Sequence, residues 1–119
     1  MDYVKLWTAV LTHPKWLALS DRAKTLLVQS WMYAGQAETN GHVPDSARRI
    51  IGHTPKSAVE LEEHGWWHRN GSGWVLHDWT DHQVDAEDLK AQRAERRAQD
   101  AARARRYRER KRGTKEAVK

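Results

Sequence analysis

The chain has 119 residues, seven Trp, no Cys and a formal net charge of +5. The absence of cysteine excludes a disulfide framework and a thiolate-bound zinc site. No apolar run approaches the roughly 18 residues that would indicate a membrane span, and the first residues lack the pattern of a signal peptide. We therefore expect one compact domain in a soluble, cytoplasmic protein that has no membrane partner.

The positive charge is concentrated in the last third of the chain. Residues 1–83 carry 8 Lys/Arg and 9 Asp/Glu, whereas residues 84–119 carry 13 and 7. All seven Trp lie before residue 80, and most are expected in the core because indoles bury large areas. We predict a globular domain over 1–83 and an Ala/Arg-rich tail over 84–119, either helical or disordered. A neutral body with a basic end indicates a polyanionic partner, either nucleic acid or an anionic surface.

The first 42 residues contain one clear helix. Tyr3–Trp7 alternates weakly and predicts a short strand, and Thr8–Leu19 predicts a short helix or turn. Ser20 is a favourable N-cap for the amphipathic helix that follows. We expect Gly35 to end this helix as a left-handed C-cap, and Gln36–His42 to form a polar loop.

Two short helices joined by a tight turn are expected next. The first covers Asp45–Ile51, and Gly52 breaks it. The second begins with Thr54 as N-cap and Pro55 at the first helical position, where its missing N–H costs nothing; it ends at Gly65. The residues expected to face inward are Ala47, Ile50 and Ile51 on the first helix and Ala58 and Leu61 on the second.

A β-hairpin signature follows the helix pair. The aromatic runs Trp66–Arg69 and Trp74–Trp79 flank Asn70-Gly71-Ser72-Gly73, a turn rich in residues that tolerate positive φ. A helix, a helix-turn-helix and a hairpin in this order predict a mainly α fold with a small β-hairpin, namely a winged helix-turn-helix. In that fold the third helix enters the major groove of DNA and the hairpin reaches the flanking backbone.

Several motifs also resemble a known family. They are Leu6-Trp7, His13-Pro14-Lys15, Leu19-Ser20, Asn40-Gly41-His42-Val43-Pro44, Leu61, Gly65-Trp66-Trp67 and Trp74-Val75-Leu76-His77-Asp78-Trp79. Together they resemble phage and prophage helix-turn-helix proteins that are related to the N-terminal domains of phage replisome organisers. The resemblance implies a DNA-binding protein of replication initiation or transcriptional regulation, acting in a bacterial host cytoplasm with replication or transcription proteins as further partners.

Candidate contacts to double-stranded DNA follow from the expected geometry. At the exposed start of the third helix we expect Thr54, Lys56 and Ser57, with Glu60 accepting a hydrogen bond from cytosine. Contacts to phosphates are expected from Arg48, Arg49, Arg69, Asn70 and Ser72. In the tail they are expected from Arg103, Arg105, Arg106, Arg108, Arg110, Lys111 and Arg112. Alternatively, Lys56 and Glu60 pair with each other on the helix surface.

No enzymatic function is expected, nor a cofactor or a metal site. The sequence has no Gly-rich phosphate loop, no nucleophile elbow and no paired-carboxylate signature. His77, Asp78 and His82 are interpreted as a strand end and its exit loop rather than metal ligands.

Two other functions remain open at this point. The acidic third helix, with Glu60, Glu62 and Glu63, suits a protein–protein adaptor that binds a basic surface. The Arg-rich tail suits an RNA-binding accessory. The oligomeric state is also open, since a narrow seam of small residues in the tail supports pairing only weakly.

Overall fold

The structure is a computed structural model, and it describes residues 1–83 and 85–117. The chain is mostly helical, with a small antiparallel sheet of three strands. It divides into two compact units, Met1–Ala86 and Glu87–Lys119. Within the described part of the chain, no helix combines the length and the apolar character needed to cross a bilayer.

The N-terminal segment is irregular before a 3₁₀ turn over Thr8–Thr12 and a one-turn helix α1 over Pro14–Leu17. The strand predicted over Tyr3–Trp7 is therefore wrong. The backbone of Lys5 exchanges hydrogen bonds with the side-chain amide of Gln83 rather than with a neighbouring strand, at 2.9 and 2.7 Å. The main-chain polar groups of this segment are thus partly satisfied without a sheet.

Helix α2 spans Asp21–Ala37. Ser20 caps it as predicted, because its Oγ accepts a hydrogen bond from the Ala23 amide at 3.2 Å. The predicted end at Gly35 is wrong, since the helix continues to Ala37 and Glu38 adopts the left-handed conformation with φ of 56°. Gly35 has a different role: a Cβ at this position would overlap a methyl group of Val4. The glycine lets the N-terminal segment pack directly against the helix.

The two short helices lie where the sequence predicts them. A 3₁₀ turn over Asp45–Ala47 leads into α3, Arg48–Ile51, and α4 spans Pro55–Glu63. Gly52 ends α3 with φ of 72°, and Thr54 caps α4 by accepting a hydrogen bond from the Ser57 amide at 3.3 Å. The predicted break at Gly52 and the predicted cap at Thr54 are therefore confirmed.

The buried face of α3 is narrower than predicted. Ile51 is 1% exposed, but Ile50, which was also expected to face inward, is 73% exposed. Successive residues of a helix point about 100° apart, and α3 has only one turn with which to contact α2. It therefore buries Ile51 and leaves Ile50 in solvent.

The sheet contains a strand that the sequence analysis did not predict. Strands β1 (His42–Pro44), β2 (Trp67–Asn70) and β3 (Gly73–Leu76) are ordered β1-β3-β2, and both pairings are antiparallel. The first hairpin strand is displaced by one residue from its predicted position. The second is shorter than predicted, since Trp79 begins a one-turn helix α5, Trp79–His82, after Asp78 at φ of 52°. A strand of three residues is too short to show the alternation of apolar and polar residues from which a strand is predicted. In addition, β1 pairs with residues of β3 that lie about 30 positions later in the chain.

The core lies between α2, α3, α4 and the sheet. Its largest fully buried side chains are Trp67, Leu26, Leu27, Ile51 and Leu61. The expectation that most Trp are core holds in part. Trp67, Trp74 and Trp79 are buried, Trp16, Trp31 and Trp66 pack partly buried against the core, and Trp7 is 54% exposed.

The tail is one helix, α6, over Ala86–Ala117, with 32 residues. Of the two alternatives left open for the tail, the structure has the helical one. A helix of this length extends about 48 Å. Nearly all of its described side chains are exposed, so no hydrophobic core stabilises it, and its Ala, Arg, Gln and Glu content favours the helix instead.

Candidate nucleic-acid interface

Helix α4 presents one face to solvent and buries the other. Ala58 and Leu61 face the core as predicted, at 4% and 0% exposed. Lys56 is exposed, in agreement with its predicted position, and so are Pro55 and Val59. The surface that a groove would meet therefore holds one cation and two apolar residues at the start of the helix.

Ser57 is not on that surface, and the exposed position predicted for it is wrong. Its side chain is 2% exposed. The Thr54 hydroxyl donates a hydrogen bond to Ser57 Oγ at 2.8 Å and accepts one from the Ser57 amide. The two hydroxyls therefore complete the cap of α4, because a buried polar group needs a partner, and Thr54 is half-buried in the same arrangement.

Glu60 is also engaged within the domain rather than directed at a base. Its carboxylate accepts hydrogen bonds from the backbone amide of Ser20 and from Ser20 Oγ, the latter at 2.8 Å. The bond from the backbone amide lowers the pKa of Glu60, so the carboxylate stays ionised and places a negative charge at the N-terminus of α2, where the helix dipole favours it. The suggested Lys56–Glu60 pair is not the main interaction of this carboxylate.

An arginine cluster joins α3 to the hairpin. It consists of Arg48 and Arg69, the carboxylate of Asp45 and the ring of Trp74. Arg69 binds Asp45 with two nitrogens at 3.0 and 3.3 Å, and Arg48 binds the same carboxylate at 2.9 Å. Arg69 and Trp74 are cross-strand partners, which brings the guanidinium to 4.6 Å from the ring centroid; Arg48 lies at 5.3 Å.

The arginine cluster holds two cations at the surface in fixed orientations. Both arginine side chains remain about half exposed, so an anion can still approach them. The hydrogen bond from Arg69, supported by Arg48, lowers the pKa of Asp45, and the carboxylate therefore remains ionised. Burial, followed by the charge of Arg48, lowers the pKa of His53, whose ring lies 5.1 Å from Trp74. His53 therefore adds no positive charge at neutral pH.

The hairpin turn is short. Asn70 and Ser72 are exposed, as predicted, and Gly71 has φ of 52°. The carbonyl of Ser72 accepts a hydrogen bond from the Asp45 amide at 2.7 Å, which fastens the turn to the segment that leads into α3. Arg49 on α3 is exposed as well, so four cations of α3, α4 and the hairpin, counting Arg48, Lys56 and Arg69, are accessible.

The tail helix has two halves of different charge. Residues 86–100 contain four basic and four acidic residues, whereas residues 101–113 contain seven basic residues and one acidic residue. Every one of these seven side chains is exposed. At about 100° per residue, Arg103, Arg105, Arg106 and Arg108 lie on all sides of the helix. The second half is therefore a helix with positive charge on all sides rather than an amphipathic helix.

Two sets of residues at these surfaces were missed by the sequence analysis. The first is Asp45 and Trp74, whose anchoring of the arginines depends on the sheet register. The second is Lys90, Arg93, Arg96 and Arg97, which lie exposed on one side of the first half of α6 together with Asp100. The i, i+3, i+6 and i+7 spacing of these four cations was the signal that could have placed them on one face.

A histidine pair lies at the other edge of the hairpin. His68 Nε2 lies 2.9 Å from His77 Nδ1, and His77 Nε2 lies 2.9 Å from a carboxylate oxygen of Asp78. Among the residues that the structure describes, no group of three potential ligands is placed to hold a metal ion. The side chain of His82 lies outside the described part of the chain.

Comparisons with known proteins do not identify the chain. It matches no protein-family model, no curated protein and no solved structure. These comparisons therefore assign no function to the chain.

Proposed function

We propose that the chain is a winged-helix protein that binds duplex DNA, with its cationic tail helix contacting phosphates. The observation that carries the proposal is the second half of α6, where seven exposed basic residues accompany one acid. A major groove about 12 Å wide admits an α-helix between two rows of phosphates. Cations on all sides of a helix match such an environment better than they match a flat surface.

The order of the elements supports a winged helix. Helix α2, strand β1, the pair α3 and α4, and the hairpin β2–β3 follow one another in the chain, and β3 pairs with both other strands. The left-handed Gly52 supplies the sharp turn between α3 and α4. This arrangement would present α4 to a groove while α3 and the hairpin meet the flanking backbone.

Within this proposal the domain positions the protein, and the tail supplies most of the affinity. The domain of residues 1–83 is almost neutral, and Glu62 and Glu63 lie on α4. Its accessible cations, Arg48, Arg49, Lys56 and Arg69, suit phosphates. With Ser57 buried and Glu60 bound to Ser20, α4 offers few groups that would read bases, so we infer modest sequence specificity. Replication initiation or transcriptional control in a phage is the role that the family resemblance suggests.

The test is a fluorescence-anisotropy titration of the whole chain with labelled duplex DNA, single-stranded DNA and RNA. If five or six tail cations each displace a counterion, log K for the duplex should fall with log[salt] at a slope of about −5 between about 50 and 200 mM. Absence of duplex binding below about 100 µM, weaker than ordinary non-specific affinity, would reject the proposal. Tighter binding to RNA than to duplex would identify an RNA-binding accessory instead.

A protein–protein adaptor is the second candidate, and one observation favours it. Ile50 on α3 and Val59 on α4 are 73% and 50% exposed, on the two helices that are proposed to face DNA. Exposed apolar side chains beside Glu62 and Glu63 suit a partner with a mixed basic and apolar surface. Retention of a protein partner by the chain, lost on Ile50→Asp and Val59→Asp while duplex affinity is unchanged, would support the adaptor.

Removing the charge of Asp45 is expected to strengthen binding to the duplex. In the Asp45→Asn variant, Arg48 and Arg69 lose their shared carboxylate, and both guanidinium groups become available to phosphates. We expect about a three- to tenfold gain in affinity and a salt slope steeper by about 1, together with lower thermal stability. The same titration measures both quantities.

The control for this variant is Asp2→Asn. It makes the same change in net charge at an exposed residue outside the arginine cluster, and it should alter duplex affinity by less than about twofold. An unchanged affinity in Asp45→Asn would show that the two arginines do not contact DNA, and a weaker one would show that Asp45 acts by orienting them.

A further inference from the structure

The domain contains a cleft that the proposed DNA contacts do not use. It encloses about 360 Å³, within the range of small-ligand and peptide-anchor pockets. Its lining consists of four indoles, five titratable side chains and four further residues, namely Trp7, Trp31, Trp66 and Trp79; Lys5, His13, Lys15, His77 and Asp78; and Ala9, Val10, Gly65 and Gln83. None of the residues of α3 and α4 that are proposed to face DNA takes part.

The aromatic walls of the cleft are held in place. Trp66 donates its indole N–H to the carbonyl of Lys15 at 3.1 Å. Its ring packs edge to face on Trp31 and on His13, with both pairs of centroids 6.2 Å apart. Trp79 is 5% exposed and forms part of the core. The cleft is therefore preorganised. An apolar group that enters it would contact the rings without the entropic cost of ordering these side chains.

The charged rim of the cleft is mainly positive. Lys5 and Lys15 are exposed, and neither forms a salt bridge with a residue in the described part of the chain. The Lys15 ammonium lies beside Gly65, 3.7 Å from the position that a Cβ of residue 65 would take. Since Gly65 is part of the lining, this charge lies at the edge of the cleft. Asp78, the acid in the lining, is paired with His77.

The same region exposes more apolar surface than a single small ligand would cover. Tyr3, Leu6, Leu11 and Leu17 are 57–73% exposed, and all lie in the N-terminal segment that contributes Trp7 to the cleft. Apolar side chains concentrated in this way mark protein-interaction surfaces more often than small-molecule sites.

We propose that this cleft binds an acidic peptide segment of a partner protein. An apolar side chain of the segment, Leu or Phe, enters between the indoles, and its flanking carboxylates pair with Lys5 and Lys15. The contact is separate from the DNA-binding surface, so the protein would bring a protein partner to the DNA on which it sits. The cleft proposal stands even if duplex binding fails.

A single-stranded nucleic acid fits the cleft less well. Base stacking requires open ring faces, repeated along a cationic track. Here Trp66, Trp31 and Trp79 are buried or half-buried and packed against neighbours, which leaves Trp7 as the one indole of the lining that is more than half exposed. Two lysines beside an aspartate do not form such a track.

The test uses the ¹⁵N-labelled whole chain and a short synthetic peptide in which several aspartates precede a Leu-Phe end. The seven indole N–H signals report on the cleft directly. On addition of the peptide, the signals of Trp7, Trp31, Trp66 and Trp79 should move, while those of Trp16, Trp67 and Trp74 should not. Peptides with Lys in place of Asp, or Ala in place of Leu and Phe, should bind at least tenfold more weakly.

Two exposed positions provide variants that should leave the fold intact. Trp7→Ala removes one wall and should weaken peptide binding at least tenfold, and Lys15→Glu should weaken it about three- to tenfold. Arg22→Glu, an equal charge change at an exposed residue outside the cleft, is the matched control and should bind like the parent. Unmoved cleft indoles at millimolar peptide would overturn the proposal. So would oligodeoxythymidylate, if it shifted those indoles when the peptide did not.

Discussion

Replacing Arg103, Arg105, Arg106 and Arg108 with Gln should weaken duplex binding by about 500- to 4,000-fold at about 0.1 M salt. All four side chains are exposed, and each phosphate contact contributes a factor of about 8 at this salt concentration through counterion release. Gln has nearly the helix propensity of Arg, so α6 should keep its structure. The measurement is the anisotropy titration at several salt concentrations, in which the slope should become shallower by about 3 to 4.

The matched control neutralises the other half of the same helix. Replacing Lys90, Arg93, Arg96 and Arg97 with Gln removes the same amount of charge from residues 86–100, where four acids balance the four bases. We expect a loss of less than about tenfold and a slope changed by about 1 at most. Equal losses in both variants would mean that net charge alone governs binding, and would contradict a specific role for the second half of α6.

The Gly73→Ala substitution should lower the free energy of unfolding by about 3 kcal/mol. A Cβ at residue 73 would overlap the carbonyl oxygen of Val43 and lie 2.7 Å from Pro44 Cα. Both atoms belong to the backbone of β1, which pairs with Gly73 through Pro44, so no side chain can move aside. We expect β1 to separate from β3 at this end, which would also disturb the Asp45 amide bonded to Ser72.

Urea unfolding followed by Trp fluorescence measures this effect in the domain alone, because all seven Trp precede residue 80. Gly71→Ala is the control within the same hairpin. Nothing lies within 4 Å of a Cβ there, and the cost arises from the positive φ of 52°, which amounts to about 1 kcal/mol for alanine. An equal loss of unfolding free energy in the two variants would contradict this prediction, because it would show that β1 can move away from a Cβ at residue 73.

The two glycines illustrate the limit of inference from the sequence. The turn pattern Asn70-Gly71-Ser72-Gly73 identifies a hairpin and draws attention to a residue with positive φ. The more demanding position is Gly73, which lies in an ordinary strand but has β1 against its α-carbon. Since β1 was not predicted, the need for glycine at this position was not predicted either.

The wrong predictions of side-chain position also arise from contacts between distant parts of the chain. Glu60 was expected to face solvent, yet Ser20, 40 residues earlier in the chain, binds its carboxylate. Asp45 attracted no attention in the sequence, yet it anchors Arg69, 24 residues away. Ser57 and Ile50 lie on short helices, where a shift of one residue exchanges the buried and exposed sides.

The sequence by itself determined the features that depend on near neighbours. The Ser20 and Thr54 caps, the Gly52 turn, the hairpin turn and the division of charge between domain and tail each involve residues a few positions apart, and local backbone and hydrogen-bond preferences decide them. Only the tertiary structure decided the third strand, the arginine cluster on Trp74 and the aromatic cleft. These bring together segments 24 to 78 residues apart, and such contacts arise from the packing of the whole domain, which no local pattern encodes.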